Sequence, residues 1–96
     1  MVGAAPLSGE LTKQLADVLP DVSIFQEYGL TETSCAITMG PADRKVDTLG
    51  SAGRVLPGIV ARITQASGTV GRHGEQGELI VRTPATALGY SNDEQA

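Results

Sequence analysis

Leu11, Leu15, Val18 and Leu19 recur at the spacing of one face of a helix, and Pro20 ends the run. Ser8, just before it, is a suitable N-cap because its hydroxyl can accept a bond from an otherwise unpaired helix N–H. On one side stands Met1 to Leu7, read as a strand end running into a small-residue loop. On the other stands Val22 to Tyr28, an apolar stretch read as a strand. A strand-helix-strand order predicts an α/β start with a parallel sheet, and ligands bind such sheets at the loops along one edge. The helical stripe is expected to be core.

Beyond residue 40 the pattern changes. Thr33 to Met39 is apolar and β-prone, and Gly40-Pro41 breaks it. Residues 41–53 are polar and read as a loop. Arg54 to Val55 and Val60 to Thr64 read as strands flanking the turn Leu56-Pro57-Gly58. Residues 67–77 form a glycine-punctuated connection. Glu78 to Arg82 reads as a strand with Leu79 and Val81 on one face, Ile80 and Arg82 on the other. The polar tail from Ser91 starts like a helix. Residues 1–40 thus read as α/β and 41–96 as β-rich.

At 96 residues the chain has room for at most one small domain with a modest core. Aromatics are only 3% and Trp is absent, so Leu, Ile, Val and Ala must build that core. The formal charge of -4 argues against nucleic-acid partners, since Arg44-Lys45 is the one adjacent basic pair. No apolar run reaches the length of a membrane span, and no secretory signal is visible. The single cysteine, Cys35, makes neither an internal disulfide nor a metal cluster. It reads as a small buried hydrophobe and fits a reducing intracellular compartment, cytoplasmic or peroxisomal. His73, in a Gly-rich loop, reads as an exposed turn residue. Asp43, Asp47, Glu75 and Glu78 lack the paired spacing of acid–base chemistry.

Chemistry concentrates at Tyr28-Gly29-Leu30-Thr31-Glu32. A strand running into a glycine, a hydroxyl and a carboxylate can hold a nucleotide phosphate with its metal. Thr31 can donate to a phosphate oxygen. Glu32 can hold Mg²⁺, which prefers oxygen ligands. Tyr28 offers a face for a purine.

Three segments, Gly3-Ala4-Ala5-Pro6-Leu7, Tyr28 to Glu32, and Gly77-Glu78-Leu79 with Gly89-Tyr90, resemble the acyl-adenylate-forming superfamily. That family includes acyl-CoA synthetases, 4-coumarate–CoA ligases, beetle luciferases and peptide-synthetase adenylation domains. Gly50 to Gly58 is similar to the family's connection into its β-rich subdomain. Leu30 and Gly77 to Pro84 resemble the CoA-ligase branch; the peptide synthetases usually carry Pro at the position of Leu30. The resemblance spans nearly the whole chain. It implies a partial AMP-binding domain, with a strand-helix-strand piece of a parallel sheet and then a distorted barrel-like β segment.

The resemblance also implies a two-step reaction. A small carboxylic acid attacks the α-phosphate of ATP to give acyl-AMP, and coenzyme A takes the acyl group. Gly3, Ala4, Ala5, Pro6 and Tyr28 would sandwich the adenine, with Gly29 near both nucleotide and acyl group. Thr31 would contact the α-phosphate and Glu32 the magnesium. Position 27 departs from the pattern, with Glu27 where many CoA ligases carry Gly. An unpaired carboxylate in an acyl pocket would be costly. The stretches Gln26 to Leu30 and Ser34 to Thr38 are those expected near the acyl group. The family's phosphate loop, ribose-binding Thr-Gly-Asp and catalytic lysine are not found in residues 1–96. The expectation is therefore an internal fragment of a CoA ligase, inactive alone. The alternative is a non-catalytic nucleotide-binding or interaction module.

Overall fold

The computed structural model describes residues 1–41 and 49–92, with the backbone alone at Cys35. The expectations for Asp43, Arg44, Lys45, Asp47 and the tail after Asn92 lie outside the described residues.

Ser8 caps helix α1 (Gly9–Val18): its Oγ accepts from Leu11 N–H at 3.2 Å. Thr12 Oγ1 donates to the Ser8 carbonyl at 2.9 Å and is buried there. The Leu19 N–H still reaches the Leu15 carbonyl, and the chain turns at Pro20. The apolar stripe departs from expectation. Leu11, Val18 and Leu19 are exposed, Val18 at 75%, and Thr12 is the buried member of the helix. The helix makes few contacts with the strands, so periodicity correctly marks an apolar face that these residues do not cover.

The strand expected over 22–28 begins later. Ile24 and Gln26 make isolated bridges, and β1 runs Glu27–Leu30. A 3₁₀ turn (Thr31–Thr33) leads to β2 (Cys35–Met39), which pairs antiparallel with β1. Thr33 Oγ1 ties the turn shut. It donates to the Leu30 carbonyl at 2.9 Å and accepts from Leu30 N–H at 3.3 Å. Ser34 takes the left-handed conformation that closes the reversal. Tyr28 faces Thr38 while Gly29 faces Ala36, so Ile37 is an extra residue and the pair is bulged. That residue is the fully buried side chain of the sheet, at 0% exposure.

Strand β3 (Arg54–Val55) adds to the other edge of β2. Gly53 permits the approach: at φ +93°, a Cβ there would lie 2.0 Å from the Met39 carbonyl carbon. Thr38 Oγ1 also donates to the Ala52 carbonyl at 2.7 Å.

β4 (Val60–Thr64) and β5 (Glu78–Arg82) form a separate two-stranded antiparallel sheet with unbroken register from Val60↔Arg82 to Thr64↔Glu78. The expected alternation holds, with Leu79 and Val81 more buried than Glu78, Ile80 and Arg82. His73 is exposed on the connection.

Two expectations about architecture need correction. Among the described residues, the parallel sheet is reduced to a bridge between Val2 and Gln26, with Val2 N–H on the Phe25 carbonyl and Glu27 N–H on the Val2 carbonyl, both 2.9 Å. Ala4 at φ +67° turns the chain away before the pairing can extend. The barrel-like arrangement that the resemblance implies is not seen among the described residues, whose strands form two open sheets. Ile24 and Ile37 are the buried aliphatic side chains of the described core.

Candidate nucleotide site

The turn at Ala4 that ends the parallel bridge also builds the site. It lifts Ala4, Ala5 and Pro6 over β1, and Gln26 holds them there. Leu7 N–H donates to Gln26 Oε1 at 2.8 Å, and Gln26 Nε2 donates to the Leu7 carbonyl at 3.1 Å. A side-chain amide thus pairs both groups of one backbone unit across 19 residues. The space between is an open cavity of about 680 Å³. Its floor and walls are Ala4 to Pro6, Gln26 to Thr31, Ser34 and Ala36 of the hairpin, and Gly50 and Ala52 ahead of β3. The size suits a small molecule, and the lining is mostly small and apolar with a few polar groups.

Six residues expected at the nucleotide, Ala4, Ala5, Pro6, Tyr28, Gly29 and Thr31, meet at this cavity, with Gln26, Glu27, Leu30, Ser34 and Ala36 from the stretches expected near the acyl group. The β1–β2 bulge coincides with Tyr28 and Gly29, and the three residues Tyr28, Gly29 and Leu30 are all exposed rather than alternating. A bulge re-aims side chains and interrupts pairing, which is how one edge of a hairpin can face a cavity.

Gly3 and Glu32 are placed elsewhere. Gly3 lies behind the wall, against Glu27, where a Cβ would come 2.7 Å from Glu27 Oε1. Its missing side chain makes room for that carboxylate. Glu27 is half-buried and lines the cavity, so the residue that departs from the family pattern is part of the site wall.

Glu32 is exposed on the 3₁₀ turn, outside the cavity lining. Its Oε1 accepts a hydrogen bond from the Tyr90 hydroxyl, and its carbonyl accepts from Ala87 N–H at 2.7 Å. The phenol holds the Glu32 carboxyl below the ordinary carboxylate range, and the carboxylate in turn raises the Tyr90 phenol. Among the described residues no cluster of three or more His, Cys, Asp or Glu could hold a metal by itself. A single ionised carboxylate nevertheless fits Mg²⁺, which keeps water and substrate phosphates as its other ligands. Its donor chemistry suits Mg²⁺ in that limited sense.

Gly50 and Ala52 join the cavity lining and Tyr90 joins the site through Glu32, without the sequence predicting either role. Nothing local signals them, since Tyr90 meets Glu32 across 58 positions.

The sequence model of the AMP-binding enzyme family matches residues 1–91, and the chain belongs to that family. It is 38% identical over 96 residues to acyl-CoA ligase lcsD of Purpureocillium lilacinum, covering 99% of this chain and 24% of the ligase. It is 38% identical over 97 residues to 4-coumarate–CoA ligase-like 6 of Oryza sativa subsp. japonica, covering 100% of this chain and 16% of that protein. Among solved structures, it matches o-succinylbenzoate CoA synthetase of Bacillus subtilis in complex with the acyl-adenylate intermediate. The TM-score is 0.80 at 31% identity, covering 98% of this chain and 19% of the synthetase. The same enzyme in complex with ATP and magnesium ion matches with a TM-score of 0.77 at 30% identity, over 96% of this chain and 19% of that one. The chain therefore has the fold of part of an adenylating enzyme and spans about a quarter or less of the length of these relatives. No helix among the described residues is long and apolar enough to cross a membrane.

Proposed function

We propose that this chain forms part of the AMP site of an ATP-dependent carboxylate–CoA ligase, with residues 1–40 the α/β part of the site and 41–96 its β-rich continuation. The observation that carries this reading is the cavity that brings Ala4 to Pro6 against Tyr28 to Thr31. The adenine lies between the small-residue loop and the Tyr28 ring, where the lack of bulky side chains lets backbone approach the base. Thr31 donates its hydroxyl proton to an α-phosphate oxygen. Glu32 offers a carboxylate oxygen to Mg²⁺. An ion held there would supply neutralisation of phosphate charge; the acid's carboxylate oxygen bonds to the α-phosphorus as the bond to pyrophosphate breaks and pyrophosphate leaves. The thiol of coenzyme A then takes the acyl group and AMP departs. Complexes of the B. subtilis enzyme with ATP and magnesium and with an acyl-adenylate support this chemistry for the family.

The 96-residue chain is expected to bind nucleotide without forming acyl-CoA. Calorimetry with AMP or ATP in Mg²⁺ tests this, alongside Thr31→Ala combined with Glu32→Ala. Binding that the double variant abolishes supports the reading. Binding that survives it unchanged removes Thr31 and Glu32 from the site. Robust acyl-CoA synthesis by the chain alone contradicts the assignment of a partial site.

A further inference from the structure

The Tyr90–Glu32 contact has a feature that a packing role does not require. Tyr90 is 53% exposed and lies outside the core, and its specific contact is the hydroxyl on Glu32 Oε1. The segment carrying it is anchored independently. Ala87 N–H donates to the Glu32 carbonyl at 2.7 Å, and Thr83 organises the preceding turn through Ala85 N–H at 3.2 Å and Thr86 Oγ1 at 2.9 Å. Backbone and side chain of the same glutamate are thus both gripped by residues 87–90.

An exposed glutamate on a short turn samples many rotamers, and a ligand that needs one of them must restrict the rest. A phenol restricts the carboxylate without cancelling its charge, unlike a lysine or arginine. We propose that Tyr90 is a positioning residue: it holds Oε1 of Glu32 so that the other carboxylate oxygen is kept ready for a divalent cation arriving on nucleotide phosphates. The inference rests on the reading of Glu32 as the metal-binding acid given above.

The test is ATP binding to the 96-residue chain, measured with Mg²⁺ and with chelator, for the parent, Tyr90→Phe and Glu32→Gln. Tyr90→Phe is expected to weaken binding in Mg²⁺ by about three- to tenfold, as one exposed charge-assisted bond is modest, and to leave binding in chelator unchanged. Tyrosine emission gives a second readout, since Tyr28 and Tyr90 are the two tyrosines and Trp is absent. With ATP already present, adding Mg²⁺ is expected to change the emission of the parent and much less that of Tyr90→Phe, since the adenine acts on Tyr28 alike in both. Three results overturn the inference: unchanged or tighter Mg²⁺-ATP binding by Tyr90→Phe, equal weakening with and without Mg²⁺, or a melting temperature lowered enough to explain the loss. Magnesium dependence lost in Glu32→Gln but intact in Tyr90→Phe sinks Tyr90 alone. No magnesium dependence in the parent sinks the reading of Glu32 and this inference with it.

Discussion

The two sheets of this chain are built in different ways. The β4–β5 pair keeps one register over five residue pairs, from Val60↔Arg82 to Thr64↔Glu78. The β1–β2–β3 sheet is irregular throughout: a bulge at Tyr28/Gly29, left-handed Ala4 and Ser34 beside it, and a Gly53 that no other residue could replace without movement. The apolar-lined cavity belongs to the irregular sheet, whereas the hollow of similar volume beside the β4–β5 connection, lined by Gln65, Arg72 and Glu75, is shallower and mostly polar. Regular pairing commits the backbone groups that face the partner strand to an unbroken ladder. A cavity wall must instead turn side chains and backbone towards open space, and bulges and left-handed residues do that at a local cost.

If that contrast is right, the largest effect comes from Gly53→Ala. Its Cβ would collide with Met39 backbone atoms at 2.0–2.2 Å, at a φ that already disfavours alanine. A loss of about 3 kcal/mol or more is expected in denaturant melts, with β3 detached and the Gly50–Ala52 wall lost. Gly58→Ala, at φ +83° but with nothing within 4 Å, should cost only about 1 kcal/mol. Equal losses at the two positions would erase the distinction between close packing and turn strain.

Next in size is Gln26→Ala. It removes both bonds to Leu7, 2.8 and 3.1 Å long. A stability loss of about 1–2 kcal/mol is expected, with weaker AMP binding and faster amide exchange at Leu7. The β4–β5 amides should exchange as before. Spread of the loss into that second sheet would show that the two sheets respond as one unit.

The smallest effect is the pH response of the Tyr90–Glu32 bond. Glu32 is lowered, so its contribution is present above its unfolded value and fades as pH falls through the folded one. Tyr90 is raised, so its contribution is present below its unfolded value and fades as pH rises through the folded one. The bond is therefore intact at neutral pH and weakens towards both extremes. Near-ultraviolet absorbance should show one phenol ionising late, and Glu32→Gln should bring it back to the ordinary range. Both groups are solvent-exposed, so the effect on melting should be slight. A phenol that titrates identically in Glu32→Gln would deny the contact.

Local signals were legible where local forces decide. Ser8 and Pro20 bracket α1 because capping and the missing proline N–H act within a few residues. Alternation marks Glu78–Arg82, and Leu56-Pro57-Gly58 marks the turn ahead of Val60–Thr64. Ala4 to Pro6 and Tyr28 to Thr31, which line the cavity, stood out as residue types, and the family resemblance linked the two segments. Other features were not legible. The helix stripe reads the same whether or not a partner covers it. A bulge depends on which residue of β2 is squeezed out, and neither strand's own pattern reveals that Ile37 is the one.

The amino-acid sequence by itself determined the helix, the short strands, the turns and the adenylating-enzyme family, because these follow from spacing, capping, glycine placement and residue types. Only the tertiary structure decided that the parallel pairing stops at Val2, that Gln26 clamps Leu7, that Gly3 makes room for Glu27 and that Tyr90 reaches Glu32. Each of these joins residues separated by many positions. Such contacts arise from chain closure and packing rather than from any preference written in neighbouring residues.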